Sequence, residues 1–376
     1  MSAGANTTDI LIVGAGIAGA SLAARLAGDA RVTLLEAEDQ PGYHATSRSA
    51  ANYEPLYGPP VIRSLTIASG DFFRSPPDGF AAAPLLSRRD VLMMGGEADT
   101  ALATEFIGLG YRPITSHEAV RLVPLLRAPY PIHMLLDNTN CDLDVDAVHR
   151  GFLAQHRRAG GVLVCRARVE SAVRSVGVWR VHTAAGEFQA PVLVNAAGAW
   201  ADDLARRCGL SPLGLQPKRR SACLVPAPVG MDVRGWPQIG TIADTFYAKP
   251  TGGKLMISPM DANPVDAHDA FADDLGLAEA IDRYQGFVDH EVTRIERSWG
   301  GLRTFAPDGD PVIGLDPRTD GFFWSAGQGG YGLQTAPAWS GLAALLLRGE
   351  GMPVSYAGQA VTTAAISPER LLRAAE

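Results

Sequence analysis

The pattern of apolar and polar positions is clearest near the N-terminus. Residues 9–38, "DILIVGAGIAGASLAARLAGDARVTLLEAE", begin with a short apolar run, pass through a glycine-rich turn and an alanine-rich segment, and end in a second apolar run. Short apolar runs bounded by glycine are typical of buried strands, whereas a longer alanine-rich segment is typical of a helix. The pattern therefore predicts a strand, a helix and a second strand, which together form a βαβ unit.

Comparable patterns recur along the rest of the chain. They predict, in order, an amphipathic helix at 145–160, a β-meander of short alternating segments at 161–190, a buried strand with a small-residue turn and a helix at 191–209, more strands between 220 and 259, a helix near Leu277–Val292, and a strand, a glycine loop and a long helix of small residues at 308–347. This mixture of strands and helices indicates an α/β protein.

Composition narrows the class of protein. The chain has 376 residues, 47% of them hydrophobic, which is enough for two domains or one large domain. No apolar run has the length of a membrane span and the first residues lack a signal-peptide pattern, so we expect a cytoplasmic protein. The net charge of −7, with dispersed basic residues, argues against nucleic acid and favours small-molecule partners. The oligomeric state stays open.

Cysteine and histidine usage gives no sign of a metal site. Cys141, Cys165, Cys208 and Cys223 are scattered without CxxC pairs, and the eight histidines form no HExxH motif. We therefore expect neither a disulfide framework nor a bound metal, and any redox chemistry would belong to an organic cofactor.

The first turn carries a dinucleotide-binding pattern. Gly14, Gly16 and Gly19 form G-x-G-x-x-G after the first strand, and Glu36 ends the second strand about 20 residues later. Gly14 would make the tight turn, Gly16 would let a pyrophosphate approach the backbone, and Gly19 would let helix and strand pack closely. Glu36 would accept hydrogen bonds from ribose hydroxyls. This pattern alone does not separate NAD from FAD.

Two distant segments add to the site. "VLVNAAGAW" places small residues at 196–199 after a predicted strand, and "GQGGYGLQT" at 327–335 places four glycines before a helix. The second loop would point a helix N-terminus, with its unpaired N–H groups and partial positive charge, at an anionic ligand. The alternative is a glycine-rich turn selected only for helix packing.

These segments, in this order, resemble a known family. "VLVNAAGAW", "DGDPVIG" and "GFFWSAGQGGYGLQTAP" look like the D-amino acid oxidase and glycine oxidase superfamily of FAD enzymes along nearly the whole chain. "YHATSRSAA", "CDLDVDAVHRGFL", "PLGLQPKRRSA" and "WGGLRTF" resemble the bacterial D-arginine dehydrogenases, which are broad-specificity D-amino acid dehydrogenases. The resemblance implies a Rossmann-like FAD-binding domain with an inserted antiparallel-sheet substrate domain. It would divide the chain into FAD-binding segments at 1–90, 141–220 and 300–376 and substrate-binding segments at 91–140 and 221–299.

The resemblance also implies which residues contact FAD. The loop "YHATSRSAANYEPLYG" at 43–58 would wrap the pyrophosphate and the flavin, although it can also be interpreted as a surface loop with a solvated Arg48. None of the four cysteines of this chain lies in the loops that face the flavin in the family's covalent members, so FAD would be noncovalent. The implied cofactor-binding residues are Gly14, Ala15, Gly16, Ile17, Ala18, Gly19, Glu36, Ala37, Thr46, Ser47, Arg48, Ser49, Ala50, Ala51, Val169, Ala197, Gly198, Trp200, Arg303, Gly329, Gly330, Tyr331, Gly332, Leu333 and Gln334.

The same resemblance implies a substrate site. Arg220 and Arg303 would grip the substrate carboxylate, since the planar guanidinium offers paired donors, and Tyr247 would add a hydroxyl. Tyr57 would act as a lid. The implied pocket residues are Asn52, Tyr53, Glu54, Val91, Gln238, Gly240, Gly330 and Gln334.

The side-chain pocket departs from the D-arginine dehydrogenases. Their carboxylate for a basic side chain falls at Val91, with Asp90 as its neighbour. We therefore expect neutral D-amino acids to be handled at least as well as D-arginine and D-lysine. Asp90 would restore the contact if the alignment slips by one residue, and Glu54 would either receive a cationic side chain or be solvated.

The resemblance thus implies an FAD-dependent D-amino acid dehydrogenase or oxidase. Hydride would pass from Cα to flavin N5, and the resulting imino acid would hydrolyse to a 2-oxo acid and ammonia. Electrons would continue to a quinone-like acceptor or to oxygen, which leaves room for peripheral attachment at the inner membrane. The alternatives are a secondary-amine oxidase of the glycine or sarcosine type and a non-catalytic flavin-binding protein.

Overall fold

A computed structural model describes residues 6–352 and 360–373 of the chain. The strands in these residues are β1 (Asn6–Thr7), β2 (Ile10–Val13), β3 (Val32–Leu35), β4 (Asn52–Tyr53), β5 (Leu86–Arg88), β6 (Val91–Gly95), β7 (Arg112–Pro113), β8 (His133–Asp137), β9 (Cys141–Leu143), β10 (Val162–Val164), β11 (Val169–Ser175), β12 (Val178–Thr183), β13 (Gly186–Ala190), β14 (Val192–Asn195), β15 (Gln216–Val225), β16 (Gln238–Thr241), β17 (Tyr247–Thr251), β18 (Lys254–Ser258), β19 (Asn263–Pro264), β20 (Arg297–Phe305), β21 (Val312–Leu315) and β22 (Phe322–Ala326). The α-helices are α1 (Ile17–Leu26), α2 (Pro60–Arg74), α3 (Thr100–Leu109), α4 (Ser116–Leu122), α5 (Val145–Arg158), α6 (Ala201–Arg207), α7 (Asp274–Phe287), α8 (Gly332–Leu347), α9 (Thr363–Ile366) and α10 (Glu369–Arg373).

A six-stranded sheet forms the centre of the first layer. Its strands run in the order β10, β3, β2, β14, β22, β21, and every neighbouring pair is parallel except β21 with β22. The inner strands are almost entirely apolar because both faces of the sheet are covered. Side chains of α1 and α8 pack on one face, and Trp179 and Phe188 of the neighbouring meander pack on the other. The predicted βαβ unit is confirmed as β2, α1 and β3.

The predicted β-meander needs one correction. Strands β11, β12 and β13 do form an antiparallel meander, extended by β1, which pairs in parallel with β13. The first predicted segment, β10, instead joins the six-stranded sheet as a parallel neighbour of β3. Its apolar run follows α5 directly, as expected for the strand that closes a helical crossover onto a parallel sheet.

A nine-stranded sheet forms the second layer. Strands β19, β15, β18, β17, β16, β6, β8 and β7 follow one another in space, and β20 pairs with β15. Strands from both predicted substrate-binding segments therefore share one sheet. Strands β15 and β20 pair over nine residues, from Gln216↔Phe305 to Leu224↔Arg297, and the domain boundaries at 220 and 300 predicted from the sequence fall within them.

Helix α7 ends earlier than its apolar pattern predicts. It begins after Asp273, whose side chain accepts from the Gly276 amide, and it ends at Phe287 rather than at Val292. Val288 takes an extended conformation and forms a bridge with Leu126, so a tertiary contact ends the helix. No helix among the residues described is long and apolar enough to cross a membrane.

Candidate active site

Three loops of small residues meet at one edge of the six-stranded sheet. They follow the carboxyl ends of the adjacent strands β2, β14 and β22, which is where ligands bind in sheets of this kind. A cavity extends from these loops to the nine-stranded sheet. The predicted cofactor residues that line it are Gly14, Gly16, Ile17, Ala18, Glu36, Ala37, Thr46, Arg48, Ser49, Ala50, Val169, Ala197, Gly198, Trp200, Arg303, Gly329, Gly330, Tyr331, Gly332, Leu333 and Gln334.

Close backbone packing explains two of the glycines in the first turn. Gly14 has a φ of +104°, and a Cβ there would lie 2.3 Å from the Ala196 carbonyl oxygen. A Cβ on Gly19 would lie 1.9 Å from the Gly14 oxygen, so Gly19 serves helix packing and does not line the cavity. Gly16 is the N-cap of α1 and faces the cavity, where a larger residue would narrow the approach to the helix N-terminus.

Glu36 is held in place by the backbone. One carboxylate oxygen accepts from the Ala15 amide at 2.9 Å and the other from the Glu38 amide at 3.0 Å. Ala15 itself is fully buried and outside the cavity wall, so the structure gives it this supporting contact. Glu36 lines the cavity, as expected for an acceptor of ribose hydroxyls, although this role stays a prediction.

His149 supports the same turn and was missed by the sequence analysis. Its Nε2 lies 2.9 Å from the Ala15 carbonyl oxygen, and its ring lies against Gly42. Burial lowers the pKa of His149, which favours a neutral imidazole. The helix α5 that carries it was predicted correctly, but no local signal shows which face of the helix meets the glycine turn.

The loop at 43–51 does not present Arg48 as expected. The Arg48 guanidinium donates to the carbonyl oxygens of Ala270 at 2.8 Å and Gly300 at 3.0 Å and forms an ion pair with Asp269. It is therefore neither solvated nor free to serve a pyrophosphate with all its donors, and it joins this loop to the substrate side of the molecule. Ser47 and Ala51 do not line the cavity; the exposed Ser47 donates to the Tyr43 carbonyl oxygen.

Two arginines face the cavity from paired strands. Arg220 on β15 and Arg303 on β20 both donate to the carbonyl oxygen of Asp261, each at 2.8 Å. No carboxylate of the described residues forms an ion pair with Arg303, and its buried Nε has no acceptor there. Burial and the nearby charge of Arg220 lower the pKa of Arg303 to about 10. A guanidinium in a cavity wall without a carboxylate at ion-pair distance favours an anionic ligand.

Tyrosines surround this positive end of the cavity. Tyr247 is buried on β17, and the ring centroids of Tyr57 and Tyr331 lie 6.0 Å apart. Asp244 also lines this part, with a φ of +53°, and was missed because its position depends on the fold of the β16–β17 turn. Tyr53 does not line the cavity. Its ring packs on Phe73 in the core, which corrects the prediction that it is a pocket residue.

Another part of the cavity wall carries a carboxyl group among amides. Oε1 of Glu54 accepts from Asn52 Nδ2 at 2.7 Å and from Gln238 Nε2 at 3.2 Å, and the Glu54 amide donates to Gln334 Oε1 at 3.1 Å. Burial raises the pKa of Glu54 to about 7, against the opposing charge of Lys249. Glu54 is therefore held in the cavity wall, so the solvated interpretation does not fit its position.

Lys249 contacts the chain at residues 50–52, next to these side-chain amides, and the sequence analysis did not identify it either. Its buried Nζ donates to the carbonyl oxygens of Ala50 at 2.6 Å and Ala51 at 3.0 Å, contacts Asn52 Oδ1, and lies 2.9 Å from an oxygen of Asp142. Lys249 stands two residues after Tyr247 on β17, so both side chains lie on the same face of the strand. That spacing is the signal that could have located it.

Val91 and Gly240 line an uncharged part of the cavity wall. Val91 is buried and pairs with Gln238 across β6 and β16, and it brings no charge. Asp90 is paired with Arg88 at 2.9 Å and does not line the cavity, so it does not replace the missing carboxylate. Met93 and Tyr111 also line this wall. The four cysteines are free and none lines the cavity.

A family model described as FAD dependent oxidoreductase matches residues 9–346. The glycine oxidase of Geobacillus kaustophilus (strain HTA426) is 30% identical over 164 residues, which cover 42% of this chain and 40% of that protein. The chain is thus aligned with less than two thirds of that relative's length.

Two solved structures have the same fold along nearly their whole length. The glycine oxidase structure from Geobacillus kaustophilus has a TM-score of 0.81 at 22% identity and covers 96% of this chain and 98% of its own. The L-proline dehydrogenase structure from P. horikoshii has a TM-score of 0.83 at 20% identity, and the match covers 98% of this chain and 99% of that one. At these identities the likeness supports the fold alone, and it agrees with the fold expected from the sequence.

Proposed function

The chain belongs to the family of FAD-dependent oxidoreductases, and we propose that it oxidises a D-amino acid to an imino acid, which hydrolyses to a 2-oxo acid and ammonia. The observation that carries the proposal is the pair of arginines in the cavity wall, with no ion-pairing carboxylate on Arg303 among the residues described. A substrate carboxylate would supply the missing negative charge.

The cavity suits the FAD that the family binds. The N-terminus of α1, the small-residue turn at 196–198 and the glycines at 327–330 converge on it, and Glu36 lies at the end of β3. Bulky side chains at these points would fill the space that a dinucleotide needs. We expect FAD to be noncovalent because no described cysteine lines the cavity.

The residues of the chain would act mainly by binding and orientation. FAD, when bound, would supply the acceptor for the hydride that leaves Cα. Arg220 and Arg303 would hold the carboxylate through paired N–H donors, and Tyr247 would add its hydroxyl. Tyr57 and Tyr331 would exclude water from the reacting centre. Holding one orientation contributes strongly to the rate without a side-chain base at Cα.

Two features of the cavity wall bear on which substrate side chain it accepts. The wall at Val91 and Gly240 is uncharged, which favours the neutral D-amino acids expected from the departures from D-arginine dehydrogenases. Glu54 stands in the same chamber and would favour a cationic side chain.

A secondary-amine oxidase of the glycine or sarcosine type is the second candidate. It is favoured by the similarity to glycine oxidase and would use the same pair of arginines. A flavin-binding protein without catalysis is a weaker candidate, because the two arginines would then have no reason to be buried beside the glycine loop.

Anaerobic reduction of the bound flavin separates these candidates. Purified protein should be yellow and should release FAD on acid precipitation. Its absorbance would then be followed with D-amino acids, their L-enantiomers, glycine and sarcosine. Faster bleaching by D-amino acids supports the proposal, faster bleaching by sarcosine or glycine supports the second candidate, and an FAD-loaded protein that none of them reduces would contradict both.

A further inference from the structure

One backbone carbonyl lies between the two arginines. The Asp261 oxygen accepts from Arg220 Nε and from Arg303 Nη2, both at 2.8 Å. A guanidinium has five N–H donors in one plane, so a bond to one of them fixes the direction of the others. The Asp261 carbonyl thus fixes the relative orientation of the two guanidinium planes, which belong to side chains on different strands.

The side chain of Asp261 holds that carbonyl in place. Its carboxylate accepts from the Ser221 amide at 2.6 Å and from the Ser221 hydroxyl at 2.9 Å. Only 9% of the side chain is exposed, and Arg219 lies 3.6 Å away. Because Ser221 follows Arg220 on β15, the residue that orients both arginines is itself bonded to the strand that carries one of them.

The backbone before Asp261 is strained. Met260 has a φ of +59°, a conformation that residues other than glycine rarely adopt. Its sulfur lies 3.2 Å from Arg220 Nη1. A strained residue persists where its surroundings determine the conformation, and here the surroundings are the contacts of Asp261 and Arg220.

Asp261 also offsets the repulsion between two like charges. Arg220 and Arg303 are close enough that the charge of one disfavours the charge of the other. The carbonyl between them presents the negative end of its dipole to both, and the Asp261 carboxylate lies 3.9 Å from Arg220 Nε. Two arginines can therefore stay together in the wall before an anionic ligand arrives.

We propose that Asp261 is the positioning residue of the carboxylate site: it takes one N–H of each guanidinium and directs the remaining donors towards one substrate carboxylate. The inference rests on the proposed function, since it assigns a role relative to the two substrate-binding arginines. Asp261 acts through Arg220 and Arg303 and does not contact the substrate.

The test compares Asp261→Ala with Asp261→Asn in the FAD-loaded enzyme. Asparagine keeps an oxygen that can accept from the Ser221 amide and replaces the oxygen that faces the Ser221 hydroxyl with an NH2 group, whereas alanine removes both oxygens. Anaerobic flavin reduction would give the substrate dissociation constant and the limiting rate for a D-amino acid and for the amine that lacks its carboxylate. Asp261→Ala should weaken amino-acid binding at least tenfold and leave the amine within twofold, and Asp261→Asn should stay within threefold of the wild type. Asp266→Ala, at an exposed residue of the same segment, is the matched control and should change neither.

Two outcomes would overturn the inference, and they differ in what else they overturn. If Asp261→Ala binds the amino acid normally while Arg303→Met does not, the arginines bind the carboxylate without Asp261. If Arg303→Met also binds it normally, the arginine site of the proposed function fails too. Equal losses for amino acid and amine would indicate a general structural role and contradict the inference. Should Asp261→Ala not fold, Ser221→Ala replaces it, with an expected threefold loss for the amino acid alone; an unchanged value would contradict the inference.

Discussion

Two parts of the cavity wall, one around Arg220 and Arg303 and one around Glu54, are held in place by different kinds of contact. At the positive end, Arg220 and Arg303 come from long paired strands and bond to a main-chain oxygen. In the part around Glu54, Asn52 lies on a two-residue strand and Glu54 lies in the loop that follows it. The Glu54 carboxyl group is held mostly by side-chain amides. A site fixed by backbone resists substitution, whereas a site fixed by side chains can be rebuilt one residue at a time. If the arginines bind a carboxylate as proposed, this difference would let the site keep that carboxylate while its side-chain specificity changes.

Removing a charge from the positive end should have the largest effect. Arg303→Met should retain FAD and weaken flavin reduction by a D-amino acid at least tenfold, because a lost charge-assisted hydrogen bond is worth roughly 1.5–3 kcal/mol. Anaerobic stopped-flow absorbance measures it, with flavin content as the control. Unchanged kinetics in the FAD-loaded variant would remove the distinction between the two parts of the wall.

A change in the uncharged part of the cavity wall should alter substrate preference rather than overall activity. Val91→Glu places a carboxylate in an uncharged part of the wall, and we expect it to raise kcat/KM for D-arginine relative to D-leucine by about tenfold, since a site with a polar partner rejects analogues that lack it. Steady-state kinetics with an artificial electron acceptor on both proteins would measure the ratio.

The wild-type ratio decides what Glu54 does. We expect neutral D-amino acids to be at least comparable to D-arginine. A wild-type preference for D-arginine of a hundredfold or more would contradict this expectation. It would indicate that Glu54 binds the cationic side chain of D-arginine. Glu54→Gln, which keeps the size of the side chain and removes its charge, should then abolish the preference.

The smallest effect should be on stability, through the same carboxyl group. The pKa of Glu54 is raised from 4.5 to about 7, so the folded protein binds this proton more tightly than the unfolded chain does. The stability that follows is fully present below about pH 4.5 and is lost as the pH rises through 7. The melting temperature of the wild type should therefore fall relative to that of Glu54→Gln between pH 5 and 8. A gap that does not change with pH would contradict the assignment.

Local patterns predicted the parts of the molecule that depend on local physics. The turn at Gly14 and the packing at Gly19 follow from backbone geometry that only glycine satisfies, and the strands of the parallel sheet follow from continuous apolar runs. The arginine pair and the lid at Tyr57 came from a resemblance to a family, and their roles stay predictions.

Contacts between distant segments could not be predicted in this way. Asp261 is about 40 residues from both arginines along the chain, and nothing in its neighbourhood indicates that its carbonyl lies between them. Lys249 and His149 likewise act on loops 100 residues or more away. The expected role of Arg48 changed for the same reason, because its acceptors at 269–270 and 300 come from the other side of the molecule.

Strands β15 and β20, which carry the two arginines, are joined to the glycine loop by a contact that limits how the cavity can open. The two strands form a nine-residue ribbon, and just after Arg303 the amide of Gly329 in the glycine loop donates to the Thr304 carbonyl oxygen at 2.8 Å. Rotating the six-stranded sheet away from the nine-stranded sheet would have to break this hydrogen bond between the glycine loop and β20. We therefore expect a substrate to enter by rotation of Tyr57 and Tyr331 and by movement of the short loop that carries Tyr57. Such motions belong to nanoseconds and microseconds, so admission of the substrate should be faster than the domain closures that limit many enzymes.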